Sequence, residues 1–219
     1  MIKLIIFDLD GTLADTLDDI GDAINAMLKE FSFPTLTRKE VTANINRGAR
    51  ELIRRSLPEN VRENADLVTK ALEVYERHYA TCYCNKTYLY PGIRDSLKTL
   101  SENGVILAIL SNKQDTFVKH IIEELLQDIP FSFVLGQGQF STKPSPDAVC
   151  HILNELNVSH EETAFVGDSH VDMLTAKNTG THAVGVTWGY RSREVLLENG
   201  AEHLIETADE LTKIPQIIK

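Results

Sequence analysis

An α/β fold is predicted by three features of this 219-residue chain. Short apolar runs recur from residue 105 onward, amphipathic helical stretches separate them, and the most apolar early run, "LIIF" at Leu4–Phe7, is followed by a long block with no strand signal. Strands that alternate with helices imply right-handed crossovers and a mainly parallel sheet covered by helices on both faces. The helical block between about 16 and 85 interrupts that core after its first strand.

The elements follow in order. After Thr16, Leu17, Ile20, Ile24, Met27, Leu28 and Phe31 recur at helical spacing, and Thr16 with Asp19 has the spacing of a capping box. Further helices are expected at Gly48–Ser56 and Val61–Tyr79. Beyond "YPG" (Tyr90–Gly92) a helix runs to about Glu102, then strand Val105–Leu110, helix Thr116–Leu126 and strand Phe131–Leu135. Ser145 followed by Pro146 opens a helix to Leu156 in the preferred capping order. Strand Thr163–Val166, helix Val171–Asn178, strand Ala183–Val186 and a short strand near Leu204 complete the series. The sheet residues then form one body and the insert another, with hinge crossings near 15 and 85. "GQGQFS" (Gly136–Ser141) lacks the third glycine and following helix of a dinucleotide loop and is read as a turn.

Composition narrows the function. With 42% hydrophobic and 25% charged residues the chain matches ordinary globular proteins. Its 32 acids against 22 bases, net charge -10, do not suit the counterion-release mode of nucleic-acid binding. No apolar run reaches the roughly 20 residues of a membrane span, and the first strand meets acid too soon for a signal sequence, so a cytoplasmic protein with no membrane partner is expected. Cys82, Cys84 and Cys150 form no zinc set and are expected reduced. The sequence leaves monomer and homodimer open.

Three expected strands end on a polar group: Phe7 precedes Asp8, Leu110 precedes Ser111, and Val166-Gly167 precedes Asp168. In a parallel sheet those ends share one edge, the edge where ligands bind. Crowding Asp8, Asp10 and Asp168 together there calls for a cation, because close carboxylates otherwise repel and take up protons. An all-oxygen donor set favours Mg²⁺ over zinc or copper. Lys143, between the second and third polar ends, offers the site a positive group, the alternative being an exposed loop lysine. Asp172 lies one helical turn from Asp168 and stands equally as a metal ligand and as the partner of Ser169 in a capping box. Arg47, Gly48 and Arg50 precede a helix whose amides could meet an anion, although "NRGARELIRR" also reads as a basic solvated helix.

Four segments, "DLDGT" (Asp8–Thr12), "LSN" (Leu110–Asn112), "TKP" (Thr142–Pro144) and "GDSHVD" (Gly167–Asp172), resemble in order and spacing the motifs of the haloacid dehalogenase-like hydrolase superfamily, and the chain looks most like its phosphoglycolate phosphatases. The resemblance implies a Rossmann-like parallel sheet core, residues 1–15 and 86–219, with a helical cap domain, 16–85, inserted after the first strand. It implies a Mg²⁺-dependent phosphatase acting on a small phosphorylated metabolite. Asp8 would attack phosphorus to give an aspartyl phosphate, and Asp10 would act as acid and base. Ser111, Asn112 and Lys143 would neutralise the phosphoryl oxygens, with Thr12 beside them. Asp168, Asp8 and the main-chain carbonyl of Asp10, with Asp172 nearby, would hold Mg²⁺, and the cap residues Arg47, Gly48 and Arg50 would face the substrate. Asp10 separates this chain from the dehalogenases, which lack that acid, and Thr12 leans away from the sugar-phosphate mutases of the superfamily. A receiver-like phospho-aspartate switch would also carry acids at strand ends, but Asp10 and the large insert oppose it. Departures fall at Ser111, Gln137, Gln139 and Asn178.

Overall fold

The computed structural model describes residues 1–218; Lys219, the last residue of the expected core segment, lies outside the described residues. Strand β1 (Leu4–Phe7) is buried on both faces. Its side chains alternate: Ile5 and Phe7 enter one apolar cluster, Leu4 and Ile6 another. Such a run, greasy at every position, is what a central parallel strand requires.

The strands that flank it are β4 (Ile106–Gln114) and β6 (Thr163–Gly167), followed outward by β5 (Phe131–Gln137) beyond β4 and by β7 (His182–Val186) and β8 (His203–Ile205) beyond β6. All pairings in this six-stranded sheet are parallel. The first cluster is closed by α5 (Ile93–Glu102) and α6 (Asp115–Leu126), which contribute Leu97, Val118 and Ile121. The second is closed by α7 (Asp147–Leu156) and α8 (His170–Thr179) through Val149, Ile152 and Met173. The result is a helix–sheet–helix sandwich with β1 at its centre.

Register then explains the convergence. Phe7 lies opposite Ile109 on β4 and Val166 on β6, so Asp8, Ser111 and Asp168 emerge along the same edge within about one residue's rise of each other.

Residues 17–79 hold four helices, α1 (Leu17–Glu30), α2 (Arg38–Asn44), α3 (Ala49–Ser56) and α4 (Ala65–Tyr79), around their own apolar cluster of Ile24, Met27, Leu28, Ile53 and Ala71. Phe117 of α6 joins that cluster from the sheet side. The two crossings pair with each other: β2 (Ala14–Asp15) is antiparallel to β3 (Tyr88–Leu89).

Several local expectations are corrected. The Thr16–Asp19 capping box is absent: Thr16 makes no side-chain cap bond, and Asp15 Oδ1 instead accepts from Leu17 N at 3.1 Å. Asp19 is taken by the second crossing, accepting from Lys86 N, Thr87 N and Thr87 Oγ1. A buried carboxylate satisfied by three donors has no reason to turn back to its own helix start. Strand β4 runs past Leu110 to Gln114, with a register irregularity that keeps Ser111 and Asn112 within it, and β5 takes in Gly136 and Gln137, expected as turn. Helix α7 is preceded by Pro146 as its cap residue, while Ser145 Oγ accepts from Asp147 N at 3.4 Å. Helix α4 begins at Ala65, four residues later than its apolar pattern suggests, because Asn64 caps it by accepting from Asp66 N and Leu67 N.

Candidate active site

The edge where β1, β4 and β6 end opens into a cleft against the helical block, with an empty volume of about 620 Å³ including open solvent. Asp8, Asp10, Ser111, Lys113 and Lys143 line it from the sheet side, and Ile45, Gly48, Leu52, Tyr75 and Tyr79 from the helical side.

At its base Lys143 is 6% exposed, so the solvated-loop alternative fails. Its ammonium lies 2.8 Å from Asp8 Oδ1 and 2.6 Å from Asp172 Oδ1. Burial acts to lower its pKa, but Asp172 and Asp8 carry it above the ordinary lysine range. The loop that presents it, with a cis Lys143–Pro144 bond, is pinned from both sides. Asn112 Oδ1 accepts from Lys143 N at 2.7 Å, Asn112 Nδ2 donates to Lys143 O at 3.0 Å, and Asn178 Nδ2 donates to Pro144 O at 2.8 Å. Asn112 therefore clasps the lysine loop with its amide, and Asn178, a departure from the family pattern, supports the same loop.

One oxygen each of Asp8, Asp168 and Asp172 lies within 4.8 Å of the others, and all three residues are buried. Burial first, then the charges of Asp172 and Asp8, hold Asp168 well above the usual carboxylate range. Burial likewise pushes Asp8 up, with Lys143 opposing and Asp172 and Asp10 adding to the rise. Asp168 Oδ2 accepts from Tyr190 N at 2.7 Å, but Asp168 Oδ1 is buried with no hydrogen-bond partner. An orphaned carboxylate oxygen in a nest of acids is costly unless a cation takes it. The donor set is all oxygen, so these residues fit Mg²⁺. Asp172 forms the expected capping box, its Oδ2 accepting from Ser169 N and Oγ, while its Oδ1 accepts from Lys143 Nζ at 2.6 Å and one of its oxygens lies in the acidic group.

Space around Asp168 is closed by two glycines. A Cβ at Gly11, whose φ is +89°, would fall 2.4 Å from Asp168 Oδ2, and one at Gly189 2.3 Å from Asp168 Cβ. Only glycine lets both loops reach the carboxylate.

Asp10 stands apart from the three acids. Its carboxylate accepts from Thr16 Oγ1 at 2.6 Å and from Lys113 Nζ at 2.9 and 3.0 Å. Lys113, missed in the sequence, has a side chain only 7% exposed and lies 4.9 Å over the Tyr79 ring. Its adjacency to Ser111-Asn112 was the available signal. Thr12 is buried with Oγ1 unpartnered and does not line the cleft. Gly48 reaches the cleft, whereas exposed Arg47 turns to His170 Nε2 at 3.5 Å and Arg50 to Thr69 Oγ1 at 3.1 Å.

Residues 5–186 match the family model described as haloacid dehalogenase-like hydrolase. The chain belongs to that family. The hydrolase is 35% identical over 204 residues to a phosphoglycolate phosphatase of Pseudomonas syringae pv. tomato, covering 91% of this chain and 75% of the relative. It is 34% identical over 218 residues to a phosphoglycolate phosphatase of Mannheimia succiniciproducens, covering 97% of each chain. Its fold matches the crystal structure of a predicted phosphoglycolate phosphatase from Haemophilus somnus 129pt with a TM-score of 0.90 at 29% identity, over 97% of each chain. Among the described residues no helix is long and apolar enough to cross a membrane.

Proposed function

We propose that this hydrolase is a Mg²⁺-dependent phosphatase that cleaves a small phosphate monoester, phosphoglycolate or a close analogue, through an aspartyl phosphate on Asp8. The observation that carries the reading is the single cluster formed by Asp8, Lys143, Asp168 and Asp172 at one sheet edge, next to a separately held Asp10. The phosphatase names of the two relatives above support the substrate class.

The chemistry divides among the chain's own groups. Asp8 Oδ attacks phosphorus, the ester oxygen leaves with a proton from Asp10, and Asp10 then takes a proton from the water that cleaves the acyl phosphate. Lys143 and the Ser111 hydroxyl face the phosphoryl oxygens, and Asn112 keeps Lys143 in place. Asp8, Asp168 and the Asp10 carbonyl hold Mg²⁺, with Asp172 anchoring the lysine. When bound, the ion supplies positive charge that offsets the crowded carboxylates and the transferring phosphoryl group. The helical block, residues 16–85, acts as a cap domain on the core of 1–15 and 86–219 and excludes water from the cleft. Gly48 and Ala49 bring the start of α3 to the cleft, where its amides receive the second anionic group of the substrate.

A panel of phosphate monoesters assayed with Mg²⁺ and with chelator tests this. Release of phosphate that requires Mg²⁺ and vanishes in a folded Asp8→Asn variant is expected. Undiminished turnover in that variant would remove Asp8 as nucleophile, and phosphate moved between sugar positions without release would replace hydrolysis with mutase chemistry.

A further inference from the structure

The loop after β7 carries a residue to which the proposed reaction gives no role. Tyr190 N donates to Asp168 Oδ2 at 2.7 Å. The Tyr190 hydroxyl donates to Asp15 Oδ1 at 3.0 Å and accepts from Thr16 N at 2.9 Å. Thr16 Oγ1 in turn donates to Asp10 Oδ1 at 2.6 Å. One residue is thus one link from a fully buried carboxylate of the acidic cluster and two links from Asp10.

Its surroundings leave the ring little freedom. Trp188 Nε1 donates to Thr12 O at 3.0 Å, and Arg191 Nη1 donates to Thr42 O at 2.7 Å. A Cβ at Gly11 would lie 2.7 Å from Tyr190 Cδ2, so the ring is packed directly on the turn that follows Asp10. With its proton given to Asp15 and a lone pair used by Thr16, the hydroxyl is a brace, and Asp10 remains the group that faces the cleft.

We infer that Tyr190 is a positioning residue for Asp10: its hydroxyl fixes Thr16, Thr16 fixes the Asp10 carboxylate, and its backbone amide separately fixes Asp168. The inference rests on the proposed role of Asp10 as proton donor to the leaving oxygen. The two arms are separable, because Tyr190→Phe removes the hydroxyl and keeps the amide on Asp168. Misplacing a reacting group by about 1 Å costs on the order of 100-fold in rate, and a proton donor matters only where the leaving group needs the proton.

The test compares wild type, Tyr190→Phe and Thr16→Val on phosphoglycolate and on p-nitrophenyl phosphate, whose leaving group departs unprotonated. Mg²⁺ binding by calorimetry without substrate and hydrogen exchange at the Thr16 and Leu17 amides are measured in parallel. Expected are unchanged Mg²⁺ affinity, a fall in kcat of about 10- to 100-fold on phosphoglycolate, a much smaller fall on p-nitrophenyl phosphate, and faster exchange at Thr16 in Tyr190→Phe. Thr16→Val should show the same dependence on leaving group, and the double variant should be no worse than Thr16→Val alone. Equal losses on both esters, or weakened Mg²⁺ binding in Tyr190→Phe, would overturn the inference. A wild type inert toward both esters would instead overturn the phosphatase reading. Exchange at Thr16 would then decide the brace by itself, unaltered exchange in Tyr190→Phe refuting it.

Discussion

Replacing Lys143 with methionine keeps the aliphatic stem and removes the charge, and the structure sets the size of the consequence. The ammonium is the cation paired with Asp8 and Asp172, at 2.8 and 2.6 Å, inside a pocket where three carboxylates lie within 4.8 Å of each other. Removing one partner of a buried ion pair leaves uncompensated charge and costs about 3–5 kcal/mol. For a chain of this size each kcal/mol shifts Tm by about 2–4 °C, so Lys143→Met should melt about 6–20 °C lower in the presence of chelator. The pH dependence has a definite sign. Burial already raises Asp8 and Asp168 above their unfolded values, and losing Lys143 removes an opposing influence on Asp8. Carboxyls with raised folded pKa bind protons that the unfolded chain has released, so the penalty is full only above the folded value, about 7 for Asp8 with Lys143 present and higher without it, and shrinks as pH falls through that value toward about 4, the unfolded carboxyl value. Melting followed by circular dichroism at about pH 7.5 and about pH 5 reads both effects. A variant that melts with the wild type, or a gap that widens on acidification, would refute the assignment of Lys143 as counter-charge.

Three further outcomes are expected. Asp19→Ala strands the Lys86 and Thr87 amides and the Thr87 hydroxyl in a buried crossing and should cost roughly 3 kcal/mol in urea unfolding, with exchange rising first at residues 86–87. Burial, followed by the charges of Asp19 and Asp22, pushes the Cys82 thiol up to about 11, so only about one molecule in a thousand is thiolate at pH 8. Iodoacetamide labelling of Cys82, followed by mass spectrometry, should be slow there and rise with each pH unit up to the thiol's pKa; fast labelling at pH 8 would contradict the burial. Arg50→Ala should leave stability within about 0.5 kcal/mol and KM for the preferred ester unmoved, because Arg50 bonds Thr69 on the outer face.

What the sequence made legible has a common physical form. The strands could be read because β1 and its neighbours are buried on both faces, which leaves continuous apolar runs. The convergence of Asp8, Ser111 and Asp168 could be read because parallel register puts consecutive polar strand ends on one edge. Local capping was less secure. Thr16–Asp19 has the right spacing, but each side chain bonds elsewhere, Thr16 to Asp10 just before the helix and Asp19 to Thr87 far along the chain. Helix α2 was missed because it buries only Val41, although Thr37 and Glu40 carry the capping-box signature that starts it. Lys113 was missed for the opposite reason: its partner Asp10 lies 103 positions away, and pairing at that separation leaves no periodicity. The arginines of the 47–50 segment take separate partners beside a cleft-lining glycine, Arg47 reaching His170 between cleft-lining Ser169 and Val171, and Arg50 reaching Thr69.

In the proposed reaction Asp8 supplies the oxygen that bonds to phosphorus. Rapid acid quench of the Mg²⁺-loaded enzyme during turnover of phosphoglycolate, followed by peptide mass spectrometry, tests that step alone. Phosphate is expected on the peptide that contains Asp8, sensitive to hydroxylamine and absent from Asp8→Asn. Sustained phosphate release with that peptide unmodified at every quench time would contradict it.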